Sequence, residues 1–176
     1  MGSVLENIFF SLAEIAEPFG ILITWLFVFT FLYNLSAAIN KPDNSRTQLS
    51  FIMMISYSLN LYIDAYTPSV HLQLFAFDVV TIVVIFIWRL YFGKVIPIGF
   101  YYLIVGLTIN ATLFMALYIE SIVKLYDGYW WLWGVYGSVM PLVDLIMAVV
   151  LIANKDFLGV VKLKNSMLNR KTQAVM

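Results

Sequence analysis

The sequence predicts an all-α polytopic integral membrane protein: about five transmembrane helices in a bundle, preceded by an N-terminal interfacial amphipathic helix. Three observations carry that prediction. The chain is 62% hydrophobic and only 11% charged, with a mean hydropathy of +0.91, whereas soluble domains carry roughly 25% charged residues. Its apolar residues gather into runs of about 20, the length that crosses a roughly 30 Å hydrocarbon core as a helix. The breaks between runs carry turn chemistry: NKPDNSR at 40–46, TPS at 67–69, GK at 93–94 and YDG at 126–128.

Residues 3–17 read as the interfacial helix. Leu5, Ile8, Phe9, Leu12, Ile15 and Ala16 recur at helical spacing, while Glu6, Ser11, Glu14 and Glu17 face elsewhere. Ser3 with Glu6 forms a capping-box start, and Pro18 is expected to break the helix. No cleavable signal peptide is expected, because MGSVLENIFF has no basic stretch before a short apolar core.

The five expected spans are 19–39, 49–66, 70–88, 95–119 and 129–153. The second is the shortest and the most polar, with Ser56, Tyr57, Ser58, Asn60 and Asp64. Together they make a transmembrane bundle over residues 1–154, followed by a basic cytoplasmic tail over 155–176. Lys and Arg set the orientation. Lys41, Arg46, Arg89, Lys94, Lys155, Lys162, Lys164, Arg170 and Lys171 fall on one side of this topology, and only Lys124 on the other. That bias predicts an outside N-terminus and a cytoplasmic C-terminus, in a bacterial inner membrane or other plasma membrane. In the tail, Phe157, Val160, Val161 and Leu168 alternate with Lys162, Lys164 and Arg170. Such a stretch suits an anionic leaflet, or else a cytosolic protein partner.

Inside the spans, the informative residues are carboxylates. Asp78 lies in VHLQLFAFDVVTIVVIFIW and Asp144 in the run from Tyr129 to Ala153. A charged side chain at that depth costs about 2.5–3.5 kcal/mol on insertion scales and by default marks a functional site. At about 1.5 Å per residue, Asn110 and Asn60 fall in the same layer, and Asp64 continues the Ser56–Asn60 stripe. Lipid satisfies none of these groups, so they face inward. No Lys or Arg sits at this depth. The two acids must therefore be protonated, hydrogen-bonded, hydrated or bound to a cation. This is the chemistry of proton and cation pathways. Neutral acids that merely join helices are the plainer reading. Such contacts average only about 0.6 kcal/mol in one measured system, so they repay insertion poorly.

Gly134, Gly137 and Pro141 share the Asp144 face, and Gly106 shares the Asn110 face. Small residues permit close helix approach. These faces are expected to pack helices and to support a homo-oligomer. His71, Glu14 and Glu17 sit toward the outer end and are candidates for the mouth of a path.

Zero cysteines exclude disulfides, thiol nucleophiles and iron–sulfur ligands, and the single histidine excludes bis-histidine haem. The chain has no P-loop, GxGxxG, GxSxG or TVGYG motif. No cofactor, metal, catalytic residue or nucleic-acid partner is expected. Function then reduces to two principal expectations: a small oligomeric channel or proton/cation-linked transporter using Asp78, Asp144, Asn110, Asn60 and Asp64, or a non-enzymatic sensor, immunity or accessory subunit that binds a partner through its tail and basic loops. An intramembrane enzyme using the paired carboxylates is a third reading.

Overall fold

The computed structural model describes residues 2–63, 67, 69–92, 95–123 and 131–173, with side chains described within 19–121 and 131–167. Six α-helices follow one another: α1 (Gly2–Ala38), α2 (Ser45–Asn60), α3 (Val70–Tyr91), α4 (Ile98–Tyr118), α5 (Trp131–Ala153) and α6 (Val160–Gln173). A π-helical turn, Ile119–Val123, continues α4. No strand occurs among the described residues.

Among the described residues, four helical stretches are long and apolar enough to cross a membrane: Phe19–Ala38, Val70–Tyr91, Ile98–Ser121 and Trp131–Ala153. The second expected span differs. Instead of 49–66, the helix starts at Ser45 and ends at Asn60. Its 16 residues reach about 24 Å, short of a roughly 30 Å core. It is nonetheless central, because Leu49 and Met53 are fully buried. Its hydroxyls bond to neighbouring helices, so it tolerates a polarity that a lipid-facing span does not.

The expected break at Pro18 is also corrected. α1 runs through it without interruption. Proline removes one backbone donor, but its φ near −65° is already helical, and the long apolar stretch that follows holds the helical path. α5 likewise continues through Pro141. Helix ends use asparagine instead. Asn40 (φ 68°) follows α1 and Asn154 (φ 50°) follows α5, the left-handed geometry that Asn tolerates at a C-terminus.

Hydrogen bonds fix the packing directions. The Thr47 hydroxyl donates to the Asn34 carbonyl at 3.0 Å, and the Thr24 hydroxyl to the Tyr57 carbonyl at 3.4 Å, so α1 and α2 are antiparallel. The Trp88 indole donates to Gln48 Oε1 at 2.8 Å, and Ser56 pairs with Thr81 at 2.6 Å, which sets α2 against α3. Asn110 bonds Asp144, while Gly99 abuts Leu151, which sets α4 against α5. Asn34 Nδ2 donates to the Leu151 carbonyl at 3.2 Å and brings the C-terminal ends of α1 and α5 together.

One end of the bundle therefore gathers most of the basic side chains. Arg46 donates to the Ile152 carbonyl at 3.3 Å, Arg89 lies over the Phe100 ring at 5.3 Å, and Lys164 donates to the Tyr101 hydroxyl at 2.6 Å. α6 docks here on α4. The Tyr102 hydroxyl donates to Asp156 Oδ1 at 2.7 Å and accepts from the Leu158 amide at 2.7 Å. That donor, with the Lys162 amide on Oδ2, holds the Asp156 carboxyl below the usual carboxylate range. Asp43, at the start of α2, is also held low, by the Ser45 hydroxyl and amide. The apolar core lies just inside this end: Met53, Ile85, Leu103, Leu107, Met147 and Leu151 are all essentially inaccessible. Outward, Leu22, Trp25, Phe29, Val80, Phe86 and Leu145 present an apolar surface suited to lipid.

Candidate functional site

Beyond that core, toward the other end, lies a polar layer built from four helices. Asp144 of α5 is its centre. Its Oδ1 accepts from the Tyr57 hydroxyl of α2 at 2.6 Å and from Asn110 Nδ2 of α4 at 2.7 Å. All three side chains are buried. Short bonds to a carboxylate are the strong, charge-assisted kind when the acid is ionised. They hold Asp144 in one orientation from two directions.

Asp78 of α3 is 3% exposed. It stands close enough to Asp144 for the two charges to interact. Its situation is otherwise different, because its Oδ2 has no hydrogen-bond partner. One turn away, Thr81 donates to the Phe77 carbonyl at 2.8 Å, so Ser56 is the donor in the 2.6 Å Ser56–Thr81 pair. That pair fixes the register of α2 against α3. Asn60 lies one turn past Ser56, and Asp78 lies three residues before Thr81 on an antiparallel neighbour, so both fall at one level. Asn60 Oδ1 and Asn110 Oδ1 are buried and, like Asp78 Oδ2, lack a partner. An unpaired buried polar group costs about 1–3 kcal/mol, so three in one layer call for an explanation.

Asp78, Asp144, Asn110 and Asn60 are thus placed in one layer on neighbouring helices. Asp64 lies outside the described residues, as do the side chains of Glu14 and Glu17. His71 sits further toward the end away from the bases, half-buried, with its ring edge-on to Trp133 at 5.4 Å and Tyr136 at 6.4 Å. Tyr136 in turn packs against Phe114 at 5.9 Å. These edge-on contacts hold the His71 ring in place.

Two of the small residues, Gly106 and Gly99, serve packing within the chain. A Cβ on Gly106 would lie 2.3 Å from Met147 Sδ, and one on Gly99 would lie 2.9 Å from Leu151 Cδ2. Gly134 is buried, while Gly137 and Pro141 are half-buried. Among the described residues, no three His, Asp or Glu side chains converge as a metal cluster.

Sequence reasoning missed several participants. Tyr57 sits one residue from the Ser56–Asn60 stripe, and its partner on α5 has no sequence signal. Asn34 and Ser50, bonded at 2.7 Å, cross-link α1 and α2 near the basic end. Glu120 is buried with an unpaired Oε2. A fourth span ending at residue 119 leaves it in a loop, whereas the π-helical turn carries it inside. No family model, curated protein or solved structure matches this chain.

Proposed function

We propose that this small integral membrane protein is a channel or proton/cation-linked transporter in which Asp78 and Asp144 carry the charge of the transported species. One observation carries the reading. Asp78 is an acid buried to 3% exposure with an unpaired oxygen, beside a second buried acid, in a layer with no Lys or Arg. A merely adhesive carboxylate would have its oxygens occupied by donors from other helices, as Asp144 Oδ1 has. Asp78 is instead left with the capacity that reversible proton or cation binding requires. The basic end, holding Arg46, Arg89 and Lys164, is assigned to the cytoplasm by the bias of Lys and Arg, and a reporter fused after Met176 reads that orientation. A chain this short lines only a narrow path, so assembly as a homo-oligomer belongs to the same proposal.

The test is proton and cation flux in proteoliposomes. Asp78→Asn and Asp144→Asn keep shape while removing the exchangeable charge, and each abolishes flux. Undiminished flux in both variants, at native melting temperature, rejects the pathway reading. A second reading, an accessory subunit that binds a partner, draws on Phe157, Leu158, Leu163 and Met167, which are exposed around the docked tail. Stable co-purification of a cytosolic protein, lost on removing residues 160–176, supports that reading over transport.

A further inference from the structure

The polar layer has an excess of acceptors. Every buried side-chain polar atom without a partner among the described residues is an oxygen: Asn34 Oδ1, Asn60 Oδ1, Asp78 Oδ2, Asn110 Oδ1 and Glu120 Oε2. Three of the five belong to this one layer. Four nearby donors already have acceptors. Tyr57 and Asn110 Nδ2 donate to Asp144, Ser56 donates to Thr81, and Thr81 donates to the Phe77 carbonyl. Asp78 is 3% exposed and Asn110 0%, so bulk water does not serve them.

A proton satisfies this set incompletely. On Asp78 Oδ2 it turns one acceptor into one donor, which reaches a single amide oxygen and leaves the other unpaired. Amide oxygens bind no proton of their own near neutral pH. A bare cation behaves differently. It has no directional preference and takes several oxygens at once, as hard cations do with carboxylate and amide carbonyl ligands. Its charge must also suit the acids. Asp144 Oδ1 is committed to two donors, whereas Asp78 Oδ2 has none, which makes Asp78 the first carboxylate to ligate. Calcium takes 6–8 oxygens, often with bidentate carboxylates, and magnesium demands near-octahedral geometry with several waters. A layer offering one free carboxylate and two amide oxygens falls short of both. A monovalent ion, whose charge one carboxylate balances, completes its shell with waters or backbone carbonyls.

Resting on the transport reading above, we propose that the layer is a binding site for a monovalent alkali-metal cation, ligated by Asp78 Oδ2, Asn60 Oδ1 and Asn110 Oδ1, with Asp144 as the second, outer charge. Asn110 links the two acids, because its Nδ2 holds Asp144 while its Oδ1 faces the ion. Tyr57 and Asn110 thereby act as positioning residues for Asp144.

The experiment is thermal unfolding of the full chain in detergent, with NaCl, LiCl or KCl replacing choline chloride at fixed ionic strength and pH. Binding to the folded state alone raises the midpoint with the logarithm of cation concentration. We expect that rise in at least one alkali salt, its loss in Asp78→Asn, and an apparent affinity weaker by about tenfold or more in Asn60→Ser, the scale on which single ligand-shell changes act. Thr108→Val is the control. Its exposed hydroxyl bonds only its own helix at Ile104, and it keeps the native response. If Asp78→Asn gives no cooperative transition, Asn60→Ser alone decides the matter. A native midpoint indifferent to all three cations overturns the proposal, as does an unchanged response in Asn60→Ser, or a response to CaCl2 or MgCl2 alone. The outcomes separate from those of flux. Proton flux lost in Asp78→Asn without alkali dependence leaves the transport reading standing as proton-only. Alkali dependence with normal flux in Asp78→Asn leaves a cation site in a protein that does not transport through it.

Discussion

Gly106→Ala probes a close contact between α4 and α5 and, through it, the candidate site. A Cβ at residue 106 would lie 2.3 Å from Met147 Sδ, 2.7 Å from Met147 Cγ and 3.2 Å from Val143 Cγ1. Ordinary contact lies at about 3.5–4.0 Å, so Met147 must retreat by roughly 1.5 Å or α4 must lift from α5. Methionine is adaptable, but Met147 is 1% exposed among Leu103, Leu107 and Leu151, each at 0%, and has little room to yield. Overpacking of this kind costs about 1–3 kcal/mol. Alanine recovers up to about 1 kcal/mol of helix propensity, which leaves a net loss of about 0.5–2 kcal/mol. The control is Gly20→Ala, where nothing lies within 4 Å of the added carbon and the change is neutral or stabilising. Reversible unfolding in mixed micelles measures both, and the double variant Gly106→Ala/Met147→Ala returns a favourable coupling of about 0.5 kcal/mol or more if the two residues meet as described. Asn110 lies one turn from Gly106, so separation of α4 from α5 also lengthens the 2.7 Å bond to Asp144 and lowers flux. If Gly106→Ala matches Gly20→Ala within about 0.3 kcal/mol, the resolution of such comparisons, the α4–α5 contact is not as close as this packing requires.

Two further perturbations act on single hydrogen bonds. Tyr57→Phe removes one of the two donors on Asp144 Oδ1 and destabilises the bundle by about 1–3 kcal/mol, measured by the same unfolding assay; a change under about 0.3 kcal/mol would show that Tyr57 does not hold this acid. Docking of α6 depends on pH through Asp156, whose carboxyl is held low chiefly by the Tyr102 hydroxyl. A lowered folded-state value means that the stabilisation is fully present above the unfolded value, about 3.9, and is lost as pH falls through the lower folded value. Protease cleavage within 155–173 therefore stays slow at neutral and mildly acidic pH and accelerates only below about pH 4, and Tyr102→Phe moves the onset upward.

Much of this was legible in the sequence, and the limits have physical causes. Hydropathy located α3 and α5 closely, since Val70 and Ala153 are observed helix ends. Counting residues from span centres brought Asp78, Asp144, Asn60 and Asn110 to one depth. Hydropathy does not tell which face of a helix meets protein. The α3 span is the more apolar of the two, yet less of it is buried than of the α4 span. Lipid and protein core both favour apolar side chains, so membrane helices lose the amphipathic stripe that marks the inner face of a soluble one. Partner identity is hidden for the same reason: nothing in the residues around Tyr57 announces a carboxylate on α5. Backbone exceptions also escaped. Continuation through Pro18, the early end of α2 at Asn60 and the π-helical turn that brings Glu120 inside are decided by tertiary context rather than by local pattern.

The two ends of the bundle differ in a way that bears on how the polar layer could work. Between it and the basic end stand Met53, Ile85, Leu103, Leu107, Met147 and Leu151, none more than 1% exposed. Toward the opposite end, Asn60, His71, Tyr136, Gly137 and Pro141 are only half-buried. Interiors packed at crystal-like density hold no standing water path, so an ion or proton at Asp78 has no open exit past Met147. An open pore needs access on both sides, and the basic end offers none. Transport through the layer therefore requires the apolar seal to part, and the close α4–α5 contact at Gly106 against Met147 lies within that seal. The seal and the ligands also share a helix pair: Met147 is three residues from Asp144, and Leu107 is three residues from Asn110. A rotation of α5 against α4 large enough to open the seal would disturb the Asn110–Asp144 bond in the same movement. On the transport reading proposed above, occupancy of the site and opening of the basic end are mechanically linked, the coupling that a transporter needs and a channel does not.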